Sequence, residues 1–354
     1  MTRAFTFPGL STRVVFGSGT LPQVGEEVGR LGRSRALVLS TPHQRAEAEA
    51  LAQQLGPLAA GVFPGAVMHT PVEVTDDALA AFRDAGADCV VALGGGSTVG
   101  LAKAIATRTG ADQVVIPTTY AGSEMTDILG ETQGGGKTTR RDPSIRPEVV
   151  IYDVDLTLSL PLGLTVTSAL NALAHAMEAL YAPDRNPVIE AMAREALPAI
   201  RDALPRLARD LGDREARAEA LYGAWCCSTA LGYVSMALHH KLAHTLGGSF
   251  NLPHADTHAI LLPHTTAFNE AAVPGLLAPF AEAFGGSSAG GGLWDFAKGA
   301  GAPLRLKDLG LTEADLDRAA SIAVRNPYAN PRPFGQDDIR TLLQAAWEGR
   351  RPGG

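Results

Sequence analysis

The stretch DCVVALGGGSTVGLAKAIATRTG, residues 88–110, decides the fold. Its opening run from Cys89 to Leu93 is apolar without alternation, the pattern of a strand buried on both faces. Gly94, Gly95 and Gly96 then turn the chain, and LAKAIATRTG (101–110) keeps helical spacing up to a closing glycine. The alternation continues outward on both sides. RALVLST (35–41) reads as a buried strand and HQRAEAEALAQQLG (43–56) as a helix closed by glycine. DQVVIPTTY (112–120) and EVVIYD (148–153) read as further strands. This predicts an α/β domain over residues 1–155, a parallel sheet with helices on both faces.

The texture changes after Asp155. Helical periodicity replaces β-branched runs, as in NPVIEAMAREALPAIRDALPRLARDL (186–211) and AEALYGAWCCSTALGYVSMALHHKLAHTL (218–246). Residues 156–354 therefore read as an all-α domain, with GGSSAGGG (285–292) as a flexible link between helices. Two domains suit 354 residues, and 45% hydrophobic residues suffice for a substantial core. A net charge of −7 without a basic run argues against nucleic acid. Cys89, Cys226 and Cys227 do not make a disulfide framework; buried free thiols in a reducing cytoplasm are expected. The N-terminal segment lacks the apolar core of a signal peptide, and no run reaches the roughly 18 apolar residues of a membrane span.

The glycine turn carries the first chemical signal. Gly94, Gly95, Gly96 and Ser97 let backbone approach a phosphate, and the helix behind them offers unpaired N–H groups and a positive dipole. The spacing is not GxGxxG, so a tight βα turn would explain the glycines equally well. IPTTYAGSEMT (116–126) adds hydroxyls at Thr118, Thr119 and Ser123 after the next strand, where open α/β sheets bind nucleotides. The strand at 35–41 ends in Ser40, Thr41 and Pro42, with no carboxylate to repel a 2′-phosphate. Both NADH and NADPH are therefore expected to be tolerated.

Six of the nine histidines lie in HHKLAHTLGGSFNLPHADTHAILLPH (239–264). His240 and His244 are four apart and share a helix face, and His254 follows after a glycine-containing turn. Upstream, Asn171 and His175 form another such pair. The cluster suits a metal or proton transfer, but a metal site would normally include a carboxylate where Asn171 stands. His239 points away from His240 and reads as structural, His258 and His264 as core or capping residues, and His43 and His69 as surface positions. Trp225 and Trp294 read as core.

Together these segments resemble the iron-containing (group III) alcohol dehydrogenase superfamily over roughly residues 10–335. The marks are GGGS…AK (94–103), PTT…GSE.T (117–126), Asn171 with His175, His240, His244 and His254 before AILLPH (259–264). PTTYAGSEMTDILGET, KTTRRDPSIRPEVVIYD, HHKLAHTLGG and NPYANPRP are most similar to the maleylacetate reductases within it. The resemblance implies a dehydroquinate synthase-like fold, a homodimer, and NAD(P)H-dependent reduction of the C=C bond of maleylacetate to 3-oxoadipate in aromatic-compound catabolism. The superfamily's metal ligands, usually one Asp and three His, fall on Asn171, His175, His240 and His254; the histidine close to the nicotinamide falls on His244. The acid of the phosphate loop falls on Gly100.

Both departures remove negative charge, and Lys241 and the Lys137, Arg140 and Arg141 group can add positive charge. That suits a dicarboxylate, which a buried acid would repel by several kcal/mol. Hydride addition to an enone places charge on the keto oxygen, which hydrogen-bond donors can stabilise without a metal. The expected catalytic set is His244, His254, His240, His175 and Lys241; the expected substrate set is Asn171, Lys241, Arg140 and Tyr328. If a metal is held at all, His175, His240 and His254 hold it. The competing readings are a metal-dependent alcohol or polyol dehydrogenase of the same superfamily and a lyase resembling 3-dehydroquinate synthase.

Overall fold

The protein is described by a computed structural model covering residues 4–134 and 136–353, apart from the Lys137 side chain. The chain divides into two compact units, one of residues 8–160 and one of residues 4–7 with 161–353. The break falls at Pro161, which opens the first helix of the second unit, five residues beyond the junction expected after Asp155.

The first unit holds β1 (Arg13–Gly17), α1 (Val24–Arg30), β2 (Ala36–Leu39), α2 (Arg45–Leu55), β3 (Ala59–Phe63), α3 (Val72–Asp84), β4 (Cys89–Gly94), α4 (Gly96–Thr109), β5 (Asp112–Pro117), β6 (Ile128–Gln133), β7 (Gly136–Arg141) and β8 (Val149–Asp153). Six strands form a sheet in the order β1-β8-β5-β4-β2-β3, every pair parallel. Every residue of β2, β4 and β8 is buried, which is why their sequences run apolar without alternation. From β2 the chain crosses to β3 on one side, and from β4 it crosses to β5 on the other. The carboxyl ends of β2 and β4 therefore flank a topological switch point, the place where open α/β sheets hold ligands.

One segment differs from expectation. GGGKTTRRDP reads as a polar loop, yet residues 136–141 form β7, antiparallel to β6, with Leu129 opposite Arg140 and Ile128 opposite Arg141. The pair stands apart from the main sheet.

The second unit is helical: α5 (Leu162–Tyr181), α6 (Pro187–Arg209), α7 (Arg214–Tyr233), α8 (Leu238–Phe250), α9 (His254–Glu270), α10 (Pro274–Phe284), α11 (Ala289–Gly299), α12 (Asp315–Ala323) and α13 (Gln336–Glu348). Every residue of α5 from Thr165 to Tyr181 is buried, and α6, α7 and α9 pack around it. A helix apolar on all sides belongs at the centre. The periodic run 218–246 is broken at Val234–Ala237 into α7 and α8. The glycines of GGSSAGGG are likewise not all linker. Ser288 caps α11, and a Cβ on Gly290 would stand 2.5 Å from Ala267 Cβ and 2.7 Å from the Pro263 carbonyl. Glycine there lets α11 lie directly on α9. All three cysteines are buried and free, and no helix among the described residues is long and apolar enough to cross a membrane.

Candidate functional site

In the first unit the turn between β4 and α4 has the form a diphosphate needs. Gly94 has φ +150°, and a Cβ on it would stand 2.5 Å from Thr98 Oγ1 and 2.8 Å from Gln44 Oε1. A Cβ on Gly95 would press on Thr119 at 3.1 Å, whereas nothing lies within 4 Å of the Cβ position of exposed Gly96. Backbone is thus open at the first residue of a helix of 14 residues, where N–H groups lack partners. Ser97 follows, half-buried. Gln44 Nε2 donates to Thr118 Oγ1 at 3.2 Å, and Thr41 Oγ1 donates to Gln44 Oε1 at 3.4 Å. Thr41, Gln44, Gly94 and Thr118 therefore meet at the switch point. The Thr98 hydroxyl is buried beside them and has no hydrogen-bond partner among the described residues. These residues fit a dinucleotide phosphate group.

Gly100, where the resemblance places an acid, is filled from outside. A Cβ there would overlap Thr70 Oγ1, and buried Thr70 holds a left-handed φ of +44° beside His69 at +68°. The backbone leaves Thr70 little room to turn its hydroxyl aside. Gly100→Asp is expected to destabilise the protein by about 1–3 kcal/mol through overpacking, read as a lower urea midpoint. An unchanged midpoint would show that Thr70 yields freely.

Lys103 fixes the second loop. Fully buried, its ammonium donates to Ser123 O at 2.6 Å, Thr126 Oγ1 at 2.7 Å and Ile128 O at 3.0 Å. Burial pushes it down to about 7, against the pull of Glu124 and Asp127. The Ser123 carbonyl is thus engaged inward. Arg140, on exposed β7, makes no ion pair among the described residues, whereas Arg141 pairs with Asp127 at 3.2 Å. The expectation at Lys137 falls on a side chain outside the described residues.

In the second unit the histidines gather around α5. The rings of His175 and His240 are 5.1 Å apart, as are those of His240 and His258; His240 and His244 are 6.0 Å apart, and His254 and His258 4.4 Å. Asn171 and His175 are buried, while His254 is exposed at the start of α9. A carboxylate that the sequence reading passed over organises the group. Glu178 is fully buried and accepts from Ala237 N at 2.8 Å, His239 N at 2.6 Å and His240 Nδ1 at 2.7 Å. It caps α8 from a distance, placing negative charge at the helix N-terminus, and it fixes the His240 ring. Its signal was present: Asn171, His175 and Glu178 stand at i, i+4 and i+7 of one helix face.

The protons of two further rings follow from the bonds. Thr265 Oγ1 donates to the carbonyls of Leu261 and Leu262 at 3.0 and 3.2 Å, so it accepts from His239 Nδ1 at 2.9 Å. His239 Nε2 then accepts from His258 Nδ1, also at 2.9 Å, leaving His258 Nε2 as a bare lone pair. Burial, then repulsion from neighbouring imidazoles, holds His239, His258 and His175 well below the usual imidazole range, so all three are neutral near pH 7.

Tyr328 belongs to this site. Its hydroxyl lies 3.3 Å from His244 Nδ1, and Lys241 Nζ sits 5.7 Å from the centre of its ring. Burial, then the Glu178 charge, raises the Tyr328 phenol, so it stays a donor; burial lowers the Lys241 ammonium from its ordinary value.

The donor set differs from the one Asp and three His that the resemblance implies for an iron site. Among the described residues no three His, Cys, Asp or Glu side chains converge at metal-holding distances. The carboxylate position is Asn171, and the nearby acid, Glu178, already accepts three hydrogen bonds.

Comparison with known proteins agrees across the chain. The model of the iron-containing alcohol dehydrogenase family matches residues 11–154, and that of the Fe-containing alcohol dehydrogenase family C-terminal region matches residues 165–347. Maleylacetate reductase of Rhizobium sp. (strain MTP-10005) is 62% identical over 98% of this chain and 99% of its own length. Maleylacetate reductase 1 of Rhodococcus opacus is 52% identical over 98% of each. The crystal structure of maleylacetate reductase from Agrobacterium tumefaciens superposes with a TM-score of 0.96 at 60% identity, covering 99% of this chain and all of that one. The chain belongs to the iron-containing alcohol dehydrogenase family and, within it, to the maleylacetate reductases.

Proposed function

We propose that this chain reduces the C=C bond of maleylacetate to 3-oxoadipate with NADH or NADPH, and that it does so without a metal. The observation that carries this reading is the make-up of the histidine site. Asn171 stands in the acid's place, Glu178 is satisfied behind His240, and Lys241 and Tyr328 put donors of the kind a dicarboxylate takes beside His244. The relatives named above bear the same activity in their names.

The residues divide the work as follows. Gly94, Gly95, Gly96 and Ser97 hold the dinucleotide phosphates, and Thr41, Thr118, Thr119 and Ser123 line the adjoining loops. When bound, reduced nicotinamide supplies a hydride, which the alkene carbon β to the substrate's ketone accepts. Negative charge develops on the keto oxygen. His244 and His254 donate to that oxygen or pass the proton that the α carbon then takes. His240, with Nδ1 turned to Glu178, presents Nε2 to the site, and His175 packs beside it. Lys241, Tyr328 and Asn171 hold carboxylate.

The test is NADH oxidation by purified protein with maleylacetate, with and without a strong chelator. Turnover unaffected by chelation is expected. Oxidation of simple alcohols only in the presence of metal, with no maleylacetate turnover, would instead make the chain a metal-dependent alcohol dehydrogenase.

A further inference from the structure

Tyr328 lies in a segment with no regular structure of its own. NPYANPRP (326–333) joins α12 to α13 and contains neither helix nor strand, and Asn326 takes a left-handed φ of +50°. What holds it is a pair of side-chain amides. Asn330 Nδ2 donates to Asn269 Oδ1 at 2.7 Å, and Asn269 Nδ2 donates back to Asn330 Oδ1 at 3.0 Å. The remaining capacity is also used. Asn269 Nδ2 reaches the Tyr181 hydroxyl at 3.0 Å, Asn330 Nδ2 reaches the Arg332 carbonyl at 2.7 Å, and Asn330 Oδ1 accepts from Leu238 N at 3.4 Å. Every amide proton of both side chains is spent, so neither amide can flip without losing bonds. Arg332 adds a second tie to α9, its guanidinium 3.9 Å from the Phe268 ring centre.

The partners of this pair matter more than their number. Tyr181 ends α5, which carries Asn171, His175 and Glu178; Leu238 begins α8, which carries His240, Lys241 and His244. Asn269 is fully buried on α9 and Asn330 is two residues from Tyr328. One hydrogen-bonded knot therefore ties the three histidine-bearing helices, α5, α8 and α9, to the tyrosine's loop.

We infer that the Asn269–Asn330 pair is a positioning device: it seats Tyr328 against His244 and Lys241, and through Tyr328 it sets the grip on the substrate's carboxylate. Asn330 itself touches no substrate. The second half of this inference rests on the proposed reading of Tyr328 and Lys241 as carboxylate partners.

Two measurements on the full-length protein test it. In hydrogen–deuterium exchange of the free protein, Asn330→Ala is expected to raise exchange across 326–333 by at least about tenfold, with α6 unchanged. Unchanged protection of that segment overturns the inference whatever the substrate proves to be. In steady-state kinetics, Asn330→Ala and Tyr328→Ala are each expected to raise KM for maleylacetate about tenfold while KM for NADH stays within about twofold. The double variant is expected to be no worse than Tyr328→Ala alone, because Asn330 acts through Tyr328. Losses that multiply in the double variant would make Asn330 a merely structural residue. If the alanine variant fails to fold, Asn330→Asp serves both arms, since it sets two acceptors face to face at almost unchanged volume. A wild-type protein that does not reduce maleylacetate would fail the functional reading, and the exchange result would still decide the seating of Tyr328.

Discussion

Glu178→Ala is expected to cost the protein about 3–5 kcal/mol, the range for stripping a buried charge from its partners. Its carboxylate accepts from Ala237 N, His239 N and His240 Nδ1, all of them buried. Removing it leaves three donors without acceptors, each worth about 1–3 kcal/mol when orphaned, less whatever relaxation or an entering water recovers. Loss of the remote cap also frees the start of α8, the helix that holds His240, Lys241 and His244. Glu178→Gln separates fold from chemistry. It keeps the volume but removes the charge and turns one acceptor into a donor, which faces the His239 N–H if the amide oxygen stays with Ala237 N and His240 Nδ1, and faces both of those donors if it does not. We expect it to fold with a smaller loss and to lower kcat by roughly 10- to 100-fold, the usual effect of removing a residue that orients a histidine. KM for NADH should stay put. Urea unfolding and steady-state kinetics check the two variants, and a glutamine variant with wild-type kcat would mean that the tautomer of His240 does not matter.

The same carboxylate shows where sequence reading reached its end. Chain-local signals were sufficient for β2, β4, β5 and β8, whose largely or wholly buried residues leave apolar runs, but not for β1, β3 or β6. They were sufficient for the glycine turn too. They did not reveal β7, because a two-stranded ribbon with an exposed polar strand has no core to print an alternation on its sequence. They misjudged Gly290 in GGSSAGGG, since a glycine that admits another helix looks the same as a glycine that bends. Among the site residues, the i,i+4 pairs were legible. The meeting of His258 with His240, and of Tyr328 with His244 and Lys241, depends on residues far apart in the chain.

The charge argument also changes once Glu178 is in place. Asn171 and Gly100 do lack the family's acids, but the helical unit is not free of carboxylate. Its acid has been set behind His240 and surrounded by donors, so its charge is spent on the protein's own N–H groups. The loss at Gly100 has a steric partner, since Thr70 occupies the volume that an acid's Cβ would need. Two substitutions that look alike in sequence therefore act differently: one changes the polarity of a site, and the other trades an acid for a packed hydroxyl.

Lys103 yields the second large effect, and its sign is set by burial. An unfolded chain keeps this lysine protonated up to about 10.4. In the folded protein burial brings it down to about 7. Between those values the unfolded chain holds a proton that the folded chain has released, so stability rises with pH across that window. Below the window both states are protonated, and the full cost of a buried ammonium is present. The gain from the lower to the upper end is on the order of 4–5 kcal/mol. Lys103→Met keeps the stem and removes the titration, so its stability should lack this rise. It also takes the ammonium from Ile128 O and Thr126 Oγ1 and leaves Ser123 O only its bonds from Thr126, which loosens the loop bearing Thr118, Thr119 and Ser123 and should raise KM for NADH. Urea unfolding of both proteins at steps from pH 6 to pH 10 reads the difference, in which other titrating groups cancel. The gap between wild type and variant should widen as pH rises. Parallel curves would mean that three oxygen acceptors solvate the ammonium as well as water does, and that the lysine stays charged inside the sheet domain.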